Sequence, residues 1–219
     1  MLPLVDPHNP TGGVLGREEL RALARLALRH DLLVVADEVH AGLVHDPYRH
    51  IPFASLADEV ADRTVTLTSA TKAFNVPGVR CAVAHVGAAA VREAPTRPTH
   101  PHGEPNTFGV AVTLAARRHG EDWPARRRQV LARNAALVRD GLPAGMGYRM
   151  PQAAFLAWLD CRAPGLEPDP YTFFQGEARV LLNDGRAFGP GGAGFVRLDF
   201  ATSRDILEDI PRRIRESLT

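Results

Sequence analysis

Leu32-Leu33-Val34-Val35-Ala36-Asp37-Glu38 is an unbroken apolar run closed by two carboxylates. A strand with one wet face alternates apolar and polar residues, and this stretch does not. It reads as a strand covered on both faces, as in a parallel sheet. Upstream, Leu20, Leu23, Ala24, Ala27 and Leu28 recur at helical spacing between Arg17 and Arg29. Before them, Pro7-His8-Asn9-Pro10-Thr11-Gly12-Gly13 is dense turn chemistry, with prolines fixing φ and glycines permitting unusual φ. Leu2, Leu4 and Val5 read as the end of another buried strand. Strand, turn, helix and buried strand in this order predict an α/β fold.

Downstream, Val65-Thr66-Leu67-Thr68-Ser69 and Cys81-Ala82-Val83-Ala84-His85-Val86 read as further strands. A proline-rich stretch from Pro95 to Pro105 precedes one long helix, roughly 107–139. After Gly141-Leu142-Pro143 the texture loosens. Strands are expected at Ala153–Leu159, Val180–Leu182 and Phe195–Phe200, and helices at Tyr171–Ala178 and Ser203–Leu218. The reading is a mostly parallel sheet with flanking helices over residues 1–125, then a smaller α+β domain over 126–219.

Composition narrows the function. Charged residues make up 23% and the net charge is +1, which is ordinary globular chemistry. Arg126-Arg127-Arg128 reads as the polar face of the long helix. No aromatic-interleaved basic patch marks a nucleic-acid site. No apolar run approaches membrane-spanning length, and no leader pattern follows Met1. Cys81 and Cys161 match no metal or redox spacing and read as buried thiols in a reducing compartment, hence a cytoplasmic protein.

Of the 26 basic residues, Lys72 alone is lysine. A guanidinium stays protonated, whereas an ammonium can shed its proton and become a nucleophile. Three strand ends carry reactive groups: Asn9 after the first strand, Asp37 at the end of the second, Ser69 and Lys72 after the third. Ligands collect at the carboxyl ends of strands in open α/β sheets. Arg80 can supply positive charge near Lys72 or hold a phosphate. Ser69 can add a hydroxyl and backbone N–H to that phosphate. Asp37 can keep a ring nitrogen protonated. A lysine, an aspartate for a pyridinium and a phosphate cradle describe pyridoxal phosphate chemistry. Each residue also has a plainer role, Ser69 as a helix cap and Asp37 likewise. His40, His45 and His50 recur at intervals of five, which fits no single helical face, and no metal site is expected. Arg197, between Val196 and Leu198, needs a partner if it points inward, with Asp199 and Asp160 as candidates. Ser69-x-x-Lys72 formally matches a penicillin-binding-protein motif, but a chain with one lysine has no downstream K-T-G.

The resemblance is carried by Pro7-His8-Asn9-Pro10-Thr11-Gly12, Ala36-Asp37-Glu38-Val39-His40, Ser69-Ala70-Thr71-Lys72-Ala73-Phe74-Asn75, Gly78-Val79-Arg80-Cys81 and Gly194-Phe195-Val196-Arg197-Leu198-Asp199-Phe200. In this order and spacing the chain resembles the fold-type I pyridoxal-phosphate enzymes of the class I/II aminotransferase superfamily. It is most similar to their cystathionine β-lyase (MalY/PatB-like) branch. The resemblance implies that Lys72 forms the Schiff base with pyridoxal 5'-phosphate and then shuttles protons at Cα and C4′. Asp37 would pair with the pyridine nitrogen, Asn9 would donate to the phenolic oxygen with His40 near it, and Ser69 and Arg80 would bind the phosphate. Arg197 would clamp the α-carboxylate of an amino-acid substrate.

The implied activity is carbon–sulfur β-elimination on cystathionine or another cysteine-S-conjugate, releasing thiol, pyruvate and ammonia. An aminotransferase is the alternative. Members of the family are close to twice this length. The early strands of the large-domain sheet, a Gly-rich phosphate-binding turn and an aromatic that stacks on the ring belong to the front half. The expected partner is therefore a second copy of the chain in a homodimer, or a complementing N-terminal half. A truncated, inactive homologue acting as an interaction partner is the remaining reading.

Overall fold

The computed structural model describes residues 1–94, 106–120 and 122–218. The proline-rich stretch expected to link strand and helix lies outside the described residues. The chain forms two compact units, Met1–Pro7 with Val14–Arg127, and His8–Gly13 with Arg128–Thr219.

The first unit is built on a sheet of β1 (Leu2–Val5), β2 (Val34–Asp37), β3 (Thr64–Thr68) and β4 (Val83–Val86), paired in that order. The first three strands are parallel. β4 turns back antiparallel on β3. Helix α1 (Arg17–Arg29) connects β1 to β2, with the Glu19 carboxylate accepting the Gly16 N–H at 2.7 Å and so satisfying a donor at the helix start. Its Leu20, Ala24 and Ala27 pack with Leu4, Val34, Ala36, Phe53 and Val60 into one core. Burying Leu20 and Phe53 stabilises the unit by about 1.5–3 kcal/mol each. Short helices α2 (Asp58–Ala61), α3 (Ala70–Ala73) and α4 (Ala89–Arg92) follow.

The helix expected over 107–139 is two, α5 (Thr107–His119) and α6 (Asp122–Gly141). Two features break it. Gly120 leaves helical geometry at φ −100° and ψ 22° and ends α5, where a β-carbon would stand 2.4 Å from the Phe74 ring. Pro124, lacking an N–H, is tolerated in the first turn of a new helix but not inside a continuous one.

The second unit holds an antiparallel sheet of β5 (Gly147–Tyr148), β6 (Leu156–Asp160), β7 (Asn183–Asp184) and β8 (Phe195–Asp199), in the order β5-β6-β8-β7. The strand expected at Val180–Leu182 does not pair. Arg179 turns through a left-handed conformation, and the ladder to β8 begins at Asn183. The helix expected over Tyr171–Ala178 is one α-turn, α7 (Pro170–Phe173), widened into a π-turn over Phe174–Ala178. Helix α8 (Arg204–Ser217) closes the unit, burying Leu207 and Ile214. No described helix is long and apolar enough to cross a membrane.

Candidate functional site

Parallel register fixes where the first unit's candidate residues stand. Asp37 lies opposite Val5 on one side and Leu67 on the other, at the carboxyl end of the central strand pair. Its Oδ1 accepts the Val39 N–H at 3.2 Å. No other hydrogen bond or ion pair to its carboxylate occurs among the described residues, so one oxygen remains to accept. Ser69 follows β3 by one residue and Lys72 by four, so both lie at the edge that Asp37 occupies. His40 is buried at 4% exposure, in the turn three residues after Asp37.

Ser69 caps α3. Its Oγ accepts the Thr71 N–H at 3.1 Å and donates to the Cys81 carbonyl at 2.6 Å. The plain capping role is thus real, and a phosphate oxygen would compete with Cys81 for the hydroxyl proton. The Lys72 side chain is half-buried and meets no hydrogen-bond or ion-pair partner among the described residues. Arg127, read from sequence as part of a solvated helix face, donates instead to the Lys72 carbonyl and ties α6 to the end of α3. Arg80 is exposed at φ 44° and ψ 49°, a left-handed conformation that costs a non-glycine residue roughly 1–2 kcal/mol. Such outliers cluster at ligand sites. A cavity of about 210 Å³ beside Ser69, lined also by Thr68, Gly42 and Phe74, includes neither Asp37 nor Lys72.

In the second unit, Arg197 projects from β8 away from the buried Val196 and Leu198. Its Nη1 donates to Asn9 Oδ1 at 2.7 Å. Its Nε and Nη2 donate to Asn183 Oδ1 at 3.2 and 2.8 Å. The guanidinium carbon stands 4.6 Å above the Phe188 ring, and Phe188 packs edge-on against Trp158 at 5.6 Å. Neither expected carboxylate partner binds it. Asp160 pairs with Arg162 at 2.6 Å, and Asp199 Oδ1 accepts the Ala201 N–H at 2.8 Å. Desolvation lowers the Arg197 pKa against the opposing pull of Asp199. The result is a half-buried cation held by neutral amides and a ring face, with N–H groups left over. A cavity of about 650 Å³, lined by Arg197, Asn183, Asp199, Tyr171 and Ile206, lies beside it.

Sequence reading missed Asn183 and Phe188, whose only signal was a Gly-rich segment before β8. It also missed the link between His50 and the strand ends, because Asp6, Glu38 and His50 are far apart in the chain.

Known proteins resemble this chain in sequence and fold. A Mycobacterium tuberculosis protein provisionally named cystathionine beta-lyase is 38% identical over 98% of this chain and 57% of its own length. Cystathionine beta-lyase PatB of Bacillus subtilis is 33% identical over 99% of this chain and 57% of its own length. Cystalysin from Treponema denticola, whose crystal structure contains pyridoxal 5'-phosphate, superposes with a TM-score of 0.93 at 26% identity, over 99% of this chain and 57% of that one. The chain therefore spans little more than half the length of these relatives. The sequence profile of aminotransferase class I and II matches residues 1–214, and the chain belongs to that family.

Proposed function

We propose that this chain carries the catalytic lysine and much of the cofactor site of a pyridoxal-phosphate-dependent carbon–sulfur β-lyase, acting on cystathionine or another cysteine-S-conjugate. The observation that carries the reading is the shared carboxyl edge of β2 and β3, where Asp37 keeps an uncommitted carboxylate oxygen and the Lys72 amine has no competing partner among the described residues.

The donor set suits the cofactor. An acceptor carboxylate matches a pyridinium N–H, a lone amine matches an aldehyde, and an exposed guanidinium matches a phosphate. Bound pyridoxal phosphate supplies an electron sink for the bond broken at Cα. Asp37 holds the ring nitrogen protonated. Lys72 would hold the cofactor by its aldehyde and would then carry the proton taken from the substrate Cα. Arg80, with Ser69, holds the phosphate. His40 would serve the phenolic oxygen, and Asn9, whose Oδ1 already accepts from Arg197, would have its amide N–H to offer there. Arg197 binds the α-carboxylate. Elimination releases the thiol, and the remaining three-carbon fragment hydrolyses to pyruvate and ammonia.

Two relatives, an aspartate aminotransferase of Pyrococcus abyssi at 30% identity and an aromatic-amino-acid aminotransferase of Thermococcus litoralis at 29%, keep amino transfer as the second reading. Supplying L-cystathionine and measuring pyruvate, against supplying an amino acid with a 2-oxo acid and measuring amino transfer, separates the two. Pyruvate release without amino transfer supports the lyase, and the reverse removes it.

We further assign residues 1–125 to the cofactor-binding domain and 126–219 to the smaller domain, and the protein to the cytoplasm, where its two buried free thiols stay reduced. A second copy or a complementing N-terminal half is the proposed partner. Supporting this, β1 and β4 are edge strands, and α5 exposes Phe108, Val110 and Leu114.

A further inference from the structure

Asp6, Glu38 and His50 form a buried charged cluster that none of these roles uses. Asp6 follows β1 and Glu38 follows β2. His50 Nε2 stands 3.0 Å from Glu38 Oε2, and its Nδ1 stands 3.4 Å from Asp6 Oδ2. The latter is an ion-pair approach rather than an aligned hydrogen bond. The side chains are 10%, 8% and 4% exposed for His50, Glu38 and Asp6. The other carboxylate oxygens bind backbone. Asp6 Oδ1 accepts the Leu15 N–H at 2.9 Å, and Glu38 Oε1 accepts the Phe53 N–H at 3.0 Å.

A neutral imidazole has one N–H and one lone pair, so one nitrogen would face a carboxylate lone pair to lone pair. Only the imidazolium offers a proton to both oxygens. Two buried carboxylates also need a cation, because the penalty for burying an uncompensated ion is several kcal/mol. Asp6 and Glu38 are the charged groups that act on the ring.

We propose that His50 is a positioning residue whose imidazolium clasps the carboxyl ends of β1 and β2 together and thereby fixes Asp37. Asp37 lies between the clasp's two arms. Its carbonyl accepts the Asp6 N–H at 3.1 Å, and the next residue, Glu38, donates its N–H to the Leu67 carbonyl at 2.9 Å. The same cluster also ties Asp6 to the start of the segment before α1, through the Leu15 N–H. The part of this inference that concerns Asp37 rests on the cofactor role proposed above.

Burial alone lowers the His50 pKa, but the Glu38 and Asp6 carboxylates outweigh it and push the value up to about 9. A histidine raised in this way stabilises the fold fully below its unfolded pKa of about 6.5, and the stabilisation is lost as pH rises through about 9.

The test compares wild type with His50→Gln. Urea unfolding from pH 6 to pH 10.5 should show the wild-type advantage in the unfolding constant shrinking on the order of a hundredfold across that window. Titration with pyridoxal phosphate, read by absorbance at pH 7, should show about tenfold weaker binding by His50→Gln. Should that variant fail to fold, His50→Gln with Glu38→Gln removes one uncompensated anion and carries the same comparison. A pH-independent difference in stability overturns the clasp. A normal pH dependence with unchanged cofactor affinity overturns the positioning of Asp37. Wild type that binds no cofactor defeats the functional reading instead, while the unfolding series still decides the clasp.

Discussion

Arg197 and Asn9, 188 residues apart in the chain, are joined by a hydrogen bond of 2.7 Å from Nη1 to Oδ1. Asn183 holds the other side of the guanidinium and Phe188 lies beneath it. All three partners are uncharged, so the positive charge is oriented without being neutralised. This is the condition for a strong charge-assisted pair with an arriving carboxylate.

Asn183→Asp tests that condition. The substitution keeps the shape and places an anion where a neutral oxygen sits. An internal ion pair then competes with ligand carboxylate. The KM for an amino-acid substrate should rise about tenfold, equivalent to about 1.4 kcal/mol, with kcat changing less. Unchanged KM would mean that Arg197 does not meet the substrate carboxylate.

Gly12→Ala should damage the turn that presents Asn9. Gly12 has φ +68°, and a β-carbon there would stand 2.5 Å from Pro151 Cβ and 2.9 Å from the Ala153 carbonyl. The Gly12 carbonyl meanwhile accepts the N–H groups of Gln152 and Ala153. Left-handed strain plus overpacking should cost about 2–4 kcal/mol, read from denaturant unfolding.

Phe53→Ala should be the most damaging single truncation in the first unit. The ring is 1% exposed in the core under β1 and β2. A loss of about 3–5 kcal/mol is expected. The Phe53 backbone N–H bond to Glu38 survives the substitution, so the cost reports the core rather than the clasp.

Cys161 should resist alkylation in the native protein. Burial first, and the Asp160 charge second, push its thiol up to about 12, and the thiolate is the reactive form. Iodoacetamide labelling should appear only with unfolding; rapid native labelling would contradict the burial.

Much of the first unit was legible because its signals are local. The apolar run ending at Asp37 declares a doubly covered strand, and the turn chemistry after Pro7 declares where β1 stops. What escaped depends on partners distant in sequence. Phe74 pressing on Gly120 and the proline at 124 split a helix whose periodicity reads as continuous. His50 finds Glu38 twelve residues away and Asp6 just past the end of β1. Arg197 was expected to seek Asp199 or Asp160, but local pairs claim both, Asp160 with Arg162 and Asp199 with the Ala201 N–H. Two amides are left to do what a carboxylate would have done, and only the assembled fold reveals them.

Every role proposed for the site depends on Lys72 holding pyridoxal phosphate. Mixing the purified protein with pyridoxal phosphate, reducing with borohydride and mapping the product by mass spectrometry tests it directly. Attachment at Lys72 should give a yellow absorbance band before reduction and a single phosphopyridoxyl adduct on Lys72, absent from Lys72→Ala and Lys72→Arg, both folded to within about 0.5 kcal/mol of wild type. A colourless, unmodified wild-type chain, or an adduct at the α-amino group with Lys72 untouched, would contradict it.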